Sequence, residues 1–337
     1  MRKVLITGAT GYVGGRLVRA LLDQGLSVRV LVRDERKLKQ HPCSSQVEVV
    51  VGNATNYEDN LKALTGVHTA FYLLHSINSQ IKFDKAEKEM ALSFGQAAAA
   101  AGINQIVYLG GIANDTKKSR HLQSRADTGS VLASFATPVL ELRAGIIIGS
   151  GSASFEMLRH LTHRLPIMTT PKWVANRTQP IAIRDVLYYL TKCSTLESPV
   201  KGIYDIGGPE VVTYEGMMQK FANISGLRRR IVIKVPVLTP SLSSLWIGLV
   251  TPVPTSLARP LVESLISEVV VDENKKISKL IPNPEHGLTN VDSAISLALE
   301  KVSSNEIETR WSDASIRVAP WQKAQGDPDW AGATEFQ

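Results

Sequence analysis

Lys3-Val-Leu-Ile-Thr-Gly-Ala-Thr-Gly-Tyr-Val-Gly-Gly15 decides how the rest of the chain is read. Val4, Leu5 and Ile6 form a short continuous apolar run, the pattern of a strand buried on both faces of a parallel sheet. Gly8, Gly11 and Gly14 follow at a spacing of three. Val13, Leu17, Val18, Leu21 and Leu22 then recur on one helical face. Strand, glycine turn and helix in this order are the context of a dinucleotide fingerprint. The first glycine permits a tight turn, the second lets the backbone approach a pyrophosphate, and the third lets helix and strand pack closely. The start of the helix offers free N–H groups and a partial positive charge to phosphate. A purely structural strand-to-helix turn is the competing reading.

Gly25 ends this helix, and Ser27–Val32 reads as the second strand. Arg33 falls at its carboxyl end, 19 residues beyond Gly14. An acid near that position holds the ribose 2′-hydroxyl of NAD, whereas an arginine pairs with the 2′-phosphate of NADP. NADP (NADPH) is therefore expected over NAD, with Arg36 helping from the next turn. Val47–Val51 is the third strand, closed by Gly52-Asn53-Ala54-Thr55, short polar residues suited to an adenine edge. A helix over Tyr57–Leu64 and a strand over His68–Leu74 follow, ending in Leu73-Leu74-His75-Ser76. Phe83–Ala101 is an alanine-rich helix stopped by Gly102. Gln105–Leu109 is the fifth strand, ending at Gly110-Gly111, before a helix over Leu122–Phe135 and a sixth strand over Val139–Arg143. This alternation predicts an α/β fold, a Rossmann-type doubly wound parallel sheet with ligands at the carboxyl ends of its strands.

The alternation loosens past Gly149. Gly149-Ser-Gly-Ser-Ala-Ser154 bends into a helix carrying Phe155, Leu158 and Leu161. A short strand is expected over Gln179–Ile183, a helix over Asp185–Cys193, and a strand and turn over Gly202–Pro209. Thr213 caps a helix to Ile224, Ile231–Val235 is a strand, and helices are expected near Leu261–Ile266 and Val291–Leu299. Residues 1–150 thus read as a dinucleotide-binding domain and residues 151–302 as a smaller α/β C-terminal substrate lobe, with parts of 179–210 packing back on the first domain. Residues 303–337 are a polar tail or the start of a further domain.

The chain has 337 residues with 44% hydrophobic and 20% charged content, enough for a sizeable core. Its net charge of +7 suits anionic small molecules, an anionic membrane surface or nucleic acid. No basic stripe interleaved with aromatics is present, which argues against nucleic acid. Lys117, Lys118 and Arg120 cluster, as do Arg228, Arg229 and Arg230, and both groups read as solvated loops. Cys43 and Cys193 have no disulfide or metal spacing, so no metal site is expected. Met1-Arg-Lys runs directly into the first strand without a signal sequence, which predicts a cytoplasmic location. Val235–Ala258 is uncharged but broken by Pro236, Pro240, Pro252 and Pro254, too interrupted to span a bilayer. It suits the roof of an apolar pocket, a peripheral membrane contact, or a subunit or domain interface.

Thr7-Gly-Ala-Thr-Gly-Tyr-Val-Gly14, Leu142–Gly149, Gln179–Val186 and Tyr204–Glu210 together resemble the short-chain dehydrogenase/reductase superfamily. The similarity is to its atypical NmrA-like, nucleoside-diphosphate-sugar-epimerase-like branch. Tyr72-Leu-Leu-His-Ser76, Tyr108-Leu-Gly-Gly111 and Gly149–Phe155 resemble one group of that branch, in which a segment like Thr309–Gly332 opens a further domain of unknown function. The resemblance implies a cofactor site of Gly8, Thr10, Gly11, Tyr12, Val13, Arg33, Asn53, Ala54, Leu73, Leu74, His75 and Gly110. Active members carry a Tyr and a Lys four residues apart on the helix after the fifth strand. Ser119–Ala126 holds neither, and alignment puts His121 and Arg125 there, on one helix face. One reading makes His121 a general acid and Arg125 a fixed positive charge. The other makes them an ordinary polar face. The expected function is an NADP-dependent oxidoreductase acting on an apolar, carbonyl- or quinone-type small molecule. The alternative is a catalytically inactive dinucleotide-binding redox sensor or assembly factor with a protein partner or a second copy. A nucleotide-sugar epimerase is a third option, without the Tyr its proton transfer needs.

Overall fold

The computed structural model describes residues 2–39, 42–75, 83–113, 119–235, 253, 255–304, 306–310 and 312–313. Ser76, Lys117, Lys118, most of the 235–258 segment and the tail from 314 lie outside the described residues. The first half runs β1 (Lys3–Thr7), α1 (Tyr12–Asp23), β2 (Ser27–Val32), α2 (Glu35–Lys39), β3 (Glu48–Val51), α3 (Tyr57–Leu64) and β4 (Thr69–Tyr72). It continues with α4 (Phe83–Ala101), β5 (Gln105–Gly111), α5 (Arg120–Ala133) and β6 (Val139–Ala144). These strands lie in the order β3-β2-β1-β4-β5-β6, every neighbouring pair parallel. The order reverses between β1 and β4, the crevice in which doubly wound sheets bind ligands.

The second half runs β7 (Ile147–Ile148), α6 (Ala153–Arg164), β8 (Ile167–Pro171), β9 (Arg177–Thr178), β10 (Ile181–Ala182), α7 (Ile183–Ser194) and β11 (Gly202–Ile206). It then forms β12 (Val212–Thr213), α8 (Tyr214–Ile224), β13 (Ile231–Val235), α9 (Thr255–Ser264) and α10 (Val291–Ser303). β11 returns to the main sheet as its seventh strand, parallel to β6. β7 pairs with β10, β9 with β12 and β8 with β13.

Several expected boundaries move, each for a local reason. Gln179–Ile183 yields only the two residues of β10, and Ile183 already belongs to α7. α5 starts at Arg120 because the Ser119 hydroxyl caps the Leu122 N–H at 3.2 Å. α9 occupies 255–264, around Pro260, and ends before Leu265 and Ile266. β4 is shorter than expected, ending at Tyr72.

One cluster of core residues packs α1 (Leu17, Val18, Leu21) with α7 (Val186, Tyr189, Leu190) on one face of the sheet. A second packs α3 and α4 through Leu64, Ala91, Phe94 and Ala98 on the other. Each large side chain so buried removes enough apolar surface from water to stabilise the fold by about 1.5–3 kcal/mol. A third cluster joins α6, α8, α9 and α10 through Phe155, Leu158, Met217, Phe221, Val262 and Ile295.

Two polar ties cross these layers. Asp205 of β11, fully buried, accepts from the Arg143 Nε of β6 at 2.8 Å and from the Asp272 backbone N–H at 3.0 Å. The Thr309 hydroxyl donates to the Tyr12 carbonyl oxygen at 2.8 Å and accepts from Arg16 Nε at 2.9 Å. Arg16 also reaches the Ser150 carbonyl oxygen at 2.8 Å, so residues 306–310 strap the first turn of α1 to the segment after β7.

Asp205→Ala would leave the Arg143 guanidinium buried without its counter-charge. The expected loss is about 3–5 kcal/mol. Urea unfolding of both proteins measures it, and a loss below about 1 kcal/mol would show that the pair is not coupled to the fold.

Candidate functional site

A cavity of about 490 Å³ opens at the carboxyl ends of β1, β2, β4 and β5. Gly8 turns the chain out of β1 with φ of 74°, a left-handed conformation that a side chain would strain. A Cβ there would also stand 2.7 Å from the Leu73 carbonyl oxygen. Gly14 sits so close to the Gly8 carbonyl that any Cβ on it would collide with that oxygen. The same oxygen accepts from the Gly11 N–H at 2.9 Å, closing the turn.

Helices α3, α5, α6, α8 and α10 each carry a side-chain cap, from Asn56, Ser119, Ser152, Thr213 and Asn290. α1 begins at Gly11 with no side-chain cap and no acid in its first turn. Its first N–H groups thus face the cavity as an anion cradle. Among the described residues, Arg33 and Arg125 are the only permanently charged side chains on the cavity wall, with His75 and His121 beside them. A wall free of carboxylates, with an uncapped helix start, fits a polyphosphate dinucleotide.

All fourteen residues singled out in the sequence line this one cavity. Arg33 is exposed at its rim, where β2 ends beside Gly52, Asn53 and Ala54. The Asp59 carboxylate shapes that edge by accepting from the Asn53 N–H at 2.8 Å. Arg36 does not join Arg33 there. Its guanidinium is held by both oxygens of Asp34, at 3.0 and 2.9 Å, and it does not line the cavity. That pairing occupies the one carboxylate next to Arg33. Thr10, Gly11 and Val13 edge the turn, while the Tyr12 hydroxyl is buried against Gly149 without a described partner.

Leu73, Leu74 and Gly110 continue the wall towards a polar cluster. The His75 and His121 rings lie 4.8 Å apart. The Glu87 carboxylate bonds His75 Nδ1 at 2.7 Å and accepts from the Ser124 hydroxyl at 2.5 Å. A carboxylate on Nδ1 fixes that nitrogen as the donor and leaves His75 Nε2, which has no described partner, as the acceptor. Arg125 donates to the Leu109 carbonyl oxygen and lies over the Tyr108 ring, 5.1 Å from its centre. Burial, with His75 and Arg125 adding to it, holds the His121 pKa well below the ordinary imidazole value. Burial and then Arg125 lower His75 too, against the opposing pull of Glu87.

Beyond this cluster the wall becomes apolar, with Ile112, Ile146, Met157, Leu261, Leu265 and Val269. Tyr214 lines the same end, its hydroxyl buried without a described partner. Sequence reading missed Glu87, Ser124 and Tyr214. Glu87 and Ser124 lie on α4 and α5, 37 positions apart, and only the packing of those helices joins them. Among the described residues no helix is long and apolar enough to cross a membrane, and no group of three His, Cys, Asp or Glu could hold a metal ion.

The class indicated by fold and turn agrees with comparison to known proteins. Residues 1–126 match the NmrA-like family, and the Rossmann-type fold with its seven-stranded parallel sheet is shared with the solved structures below. In particular, the chain is 26% identical over 236 residues to a ceramide reductase of Caulobacter vibrioides, covering 68% of this chain and 72% of that one. Among solved structures it is similar to the Citrobacter sp. triphenylmethane reductase complexed with NADP(H), with 19% identity, a TM-score of 0.68, and 88% and 99% of the two chains covered. It is also similar to an NADPH-dependent quinone oxidoreductase of Escherichia coli, with 19% identity, a TM-score of 0.67, and 87% and 98% covered.

The two lowered imidazole pKa values fix a pH dependence of stability. The unfolded chain titrates these groups near 6.5, above their folded values, so it binds more protons than the folded chain as pH falls through 6.5. The folded state is therefore disfavoured below about pH 6.5 and unaffected above it. His121→Gln should lose less stability than wild type when urea midpoints are compared at about pH 7.5 and about pH 5. Parallel losses would show that the His121 ring is not held neutral by its surroundings.

Proposed function

We infer that the protein is an NADP(H)-dependent reductase of apolar carbonyl- or quinone-type small molecules. The observation that carries this reading is one cavity joining the glycine turn, a His-His-Arg cluster and an apolar end. Gly8, Gly11 and the start of α1 receive the pyrophosphate, and Arg33 receives the 2′-phosphate. Leu73, Leu74 and Gly110 flank the nicotinamide end. When bound, the reduced nicotinamide supplies a hydride, two electrons and a hydrogen, to the carbonyl carbon, while the carbonyl oxygen takes up one proton.

His121 in its protonated form hydrogen-bonds that oxygen and delivers the proton, and the fixed charge of Arg125 favours the negative charge developing there. Glu87 and Ser124 hold His75 against His121 and so keep its ring oriented. Met157, Leu261, Leu265 and Val269 exclude water and suit a hydrocarbon body. The names of the relatives, a ceramide reductase and a quinone oxidoreductase among them, support this substrate class.

One observation favours the non-enzymatic alternative. Among the described residues no Lys lines the cavity, and the Arg125 guanidinium is already engaged by Leu109 and Tyr108. In that reading bound NADPH alters affinity for a protein partner, which requires different partner recovery with and without NADPH.

Two measurements test the enzyme reading. Arg33→Ala should weaken NADPH about 10- to 150-fold with little change for NADH, read by fluorescence titration of both cofactors. Equal losses, or a wild type that prefers NADH, would remove the assignment of Arg33. Stopped-flow oxidation of NADPH by a panel of apolar aldehydes, ketones and quinones should show turnover that slows as pH rises from about 6.5 to 8, because His121 is protonated only at lower pH. His121→Gln should flatten that profile and lower the rate about 100-fold or more. No oxidation by any compound would sink the enzyme reading.

A further inference from the structure

The positive charge of this chain is not spread evenly. Residues 157–184 and 216–262 contain eleven of its 38 Lys and Arg and none of its 31 Asp and Glu. The remaining chain holds 27 basic and 31 acidic residues, a net charge of −4, so these two stretches carry the whole positive excess. The fold brings them together, because β8 and β13 pair in parallel, with Ile231 opposite Ile167 and Ile233 opposite Thr169.

In a parallel pair, residues opposite one another point to the same face. On this pair one face is inward, where Met168 is buried and Val232 packs against the third core cluster. The other face carries Ile167, Ile231 and Ile233, which are 56%, 56% and 49% exposed. Parallel pairing also puts the residues that precede both strands at one end. His163 and Arg164 precede β8, Arg228 and Arg229 precede β13, and all four are exposed. The Ile231 N–H bonds to the Pro166 carbonyl oxygen at 3.0 Å, which pins these two approaches side by side.

Five cations of the two stretches are paired with acids from elsewhere: Arg159 with Glu156, Arg177 with Glu268, Arg184 with Asp185, Lys220 with Asp292, and Arg259 with Glu263. Arg228 and Arg229 have no such partner among the described residues.

We propose that the outer face of the β8–β13 pair docks the protein on an anionic lipid bilayer, with Ile167, Ile231 and Ile233 entering the headgroup boundary and Arg228 and Arg229 meeting lipid phosphates. Exposed isoleucines beside unpaired cations match a surface that is apolar below and negative above. Nucleic acid offers no apolar layer for them, and an acidic protein would match the arginines alone. The face belongs to the part of the molecule that builds the apolar end of the cavity, since α6 and α9 line that end and pack with Met168 and Val232 in the core beneath the face. The proposal uses no residue of the cofactor cradle and does not depend on catalysis.

The test is co-sedimentation of the full chain with phosphatidylcholine vesicles and with mixed phosphatidylcholine–phosphatidylglycerol vesicles. Wild type should sediment with the mixed vesicles, weakly with phosphatidylcholine alone, and less as salt rises. Arg228→Ala with Arg229→Ala should weaken binding roughly 10- to 30-fold, from about fivefold for each charge lost near the surface. Ile231→Ser with Ile233→Ser should weaken it roughly tenfold or more. All four sites are exposed, and unchanged circular dichroism and NADPH titration in each variant confirm that fold and cofactor cradle are intact. No sedimentation of wild type with mixed vesicles, or equal sedimentation of wild type and both variants, overturns the proposal. So does a dimer in gel filtration that the isoleucine substitutions turn into a monomer, since the face would then be covered by a second copy.

Discussion

The Gly8 carbonyl oxygen is the point on which the architecture turns. It accepts from the Gly11 N–H, and Gly14 lies so near it that only a residue without a side chain fits. That approach seats the first turn of α1 directly over the end of β1. The strand order reverses beside it, so the uncapped helix start opens into a crevice rather than against a neighbouring strand. Any side chain at Gly14 would lift the helix and move its N–H groups out of line together.

From that corner the cavity wall is assembled by elements that share no sequence signal. The carboxyl ends of β2 and β3 provide one rim, the segment after β4 together with α4 and α5 provides the imidazole cluster, and α6, α8 and α9 contribute to the apolar end. The cluster combines deep burial with one anion, Glu87, and one cation, Arg125. Burial outweighs the carboxylate, which keeps both rings short of protons near neutrality. The imidazoles are thus gathered in one band of the wall, apart from the Arg33 rim and the apolar end.

Much of the first half was legible because its signals are local. Buried parallel strands read as unbroken apolar runs, as in Val4–Ile6, and α3 and α4 begin and end at the residues the sequence suggests. The residues of the cradle were legible from glycine spacing alone, and those around His121 from position in a familiar pattern. The second half was less so, since β7, β9, β10 and β12 are two-residue strands that exist only through their tertiary partners. Ile183 reads as strand and folds as helix because β10 needs only Ile181 and Ala182 to pair with β7. Arg36 was misjudged for a different reason. Its guanidinium pairs with the neighbouring Asp34, and a two-residue separation gives no periodic hint of the pairing.

The strap from Thr309 to Tyr12 and Arg16 joins residues 297 and 293 positions apart. On a ribosome the glycine turn emerges long before Thr309, so the opening of α1 is made early and finished late. Until then the Tyr12 carbonyl oxygen and the Arg16 guanidinium lack the hydroxyl that joins them. The nascent sheet can form β1 to β6 from contacts close in sequence, but its ligand-facing corner depends on one of the longest loop closures in the molecule. Birth order and completion order of the cradle are therefore opposite.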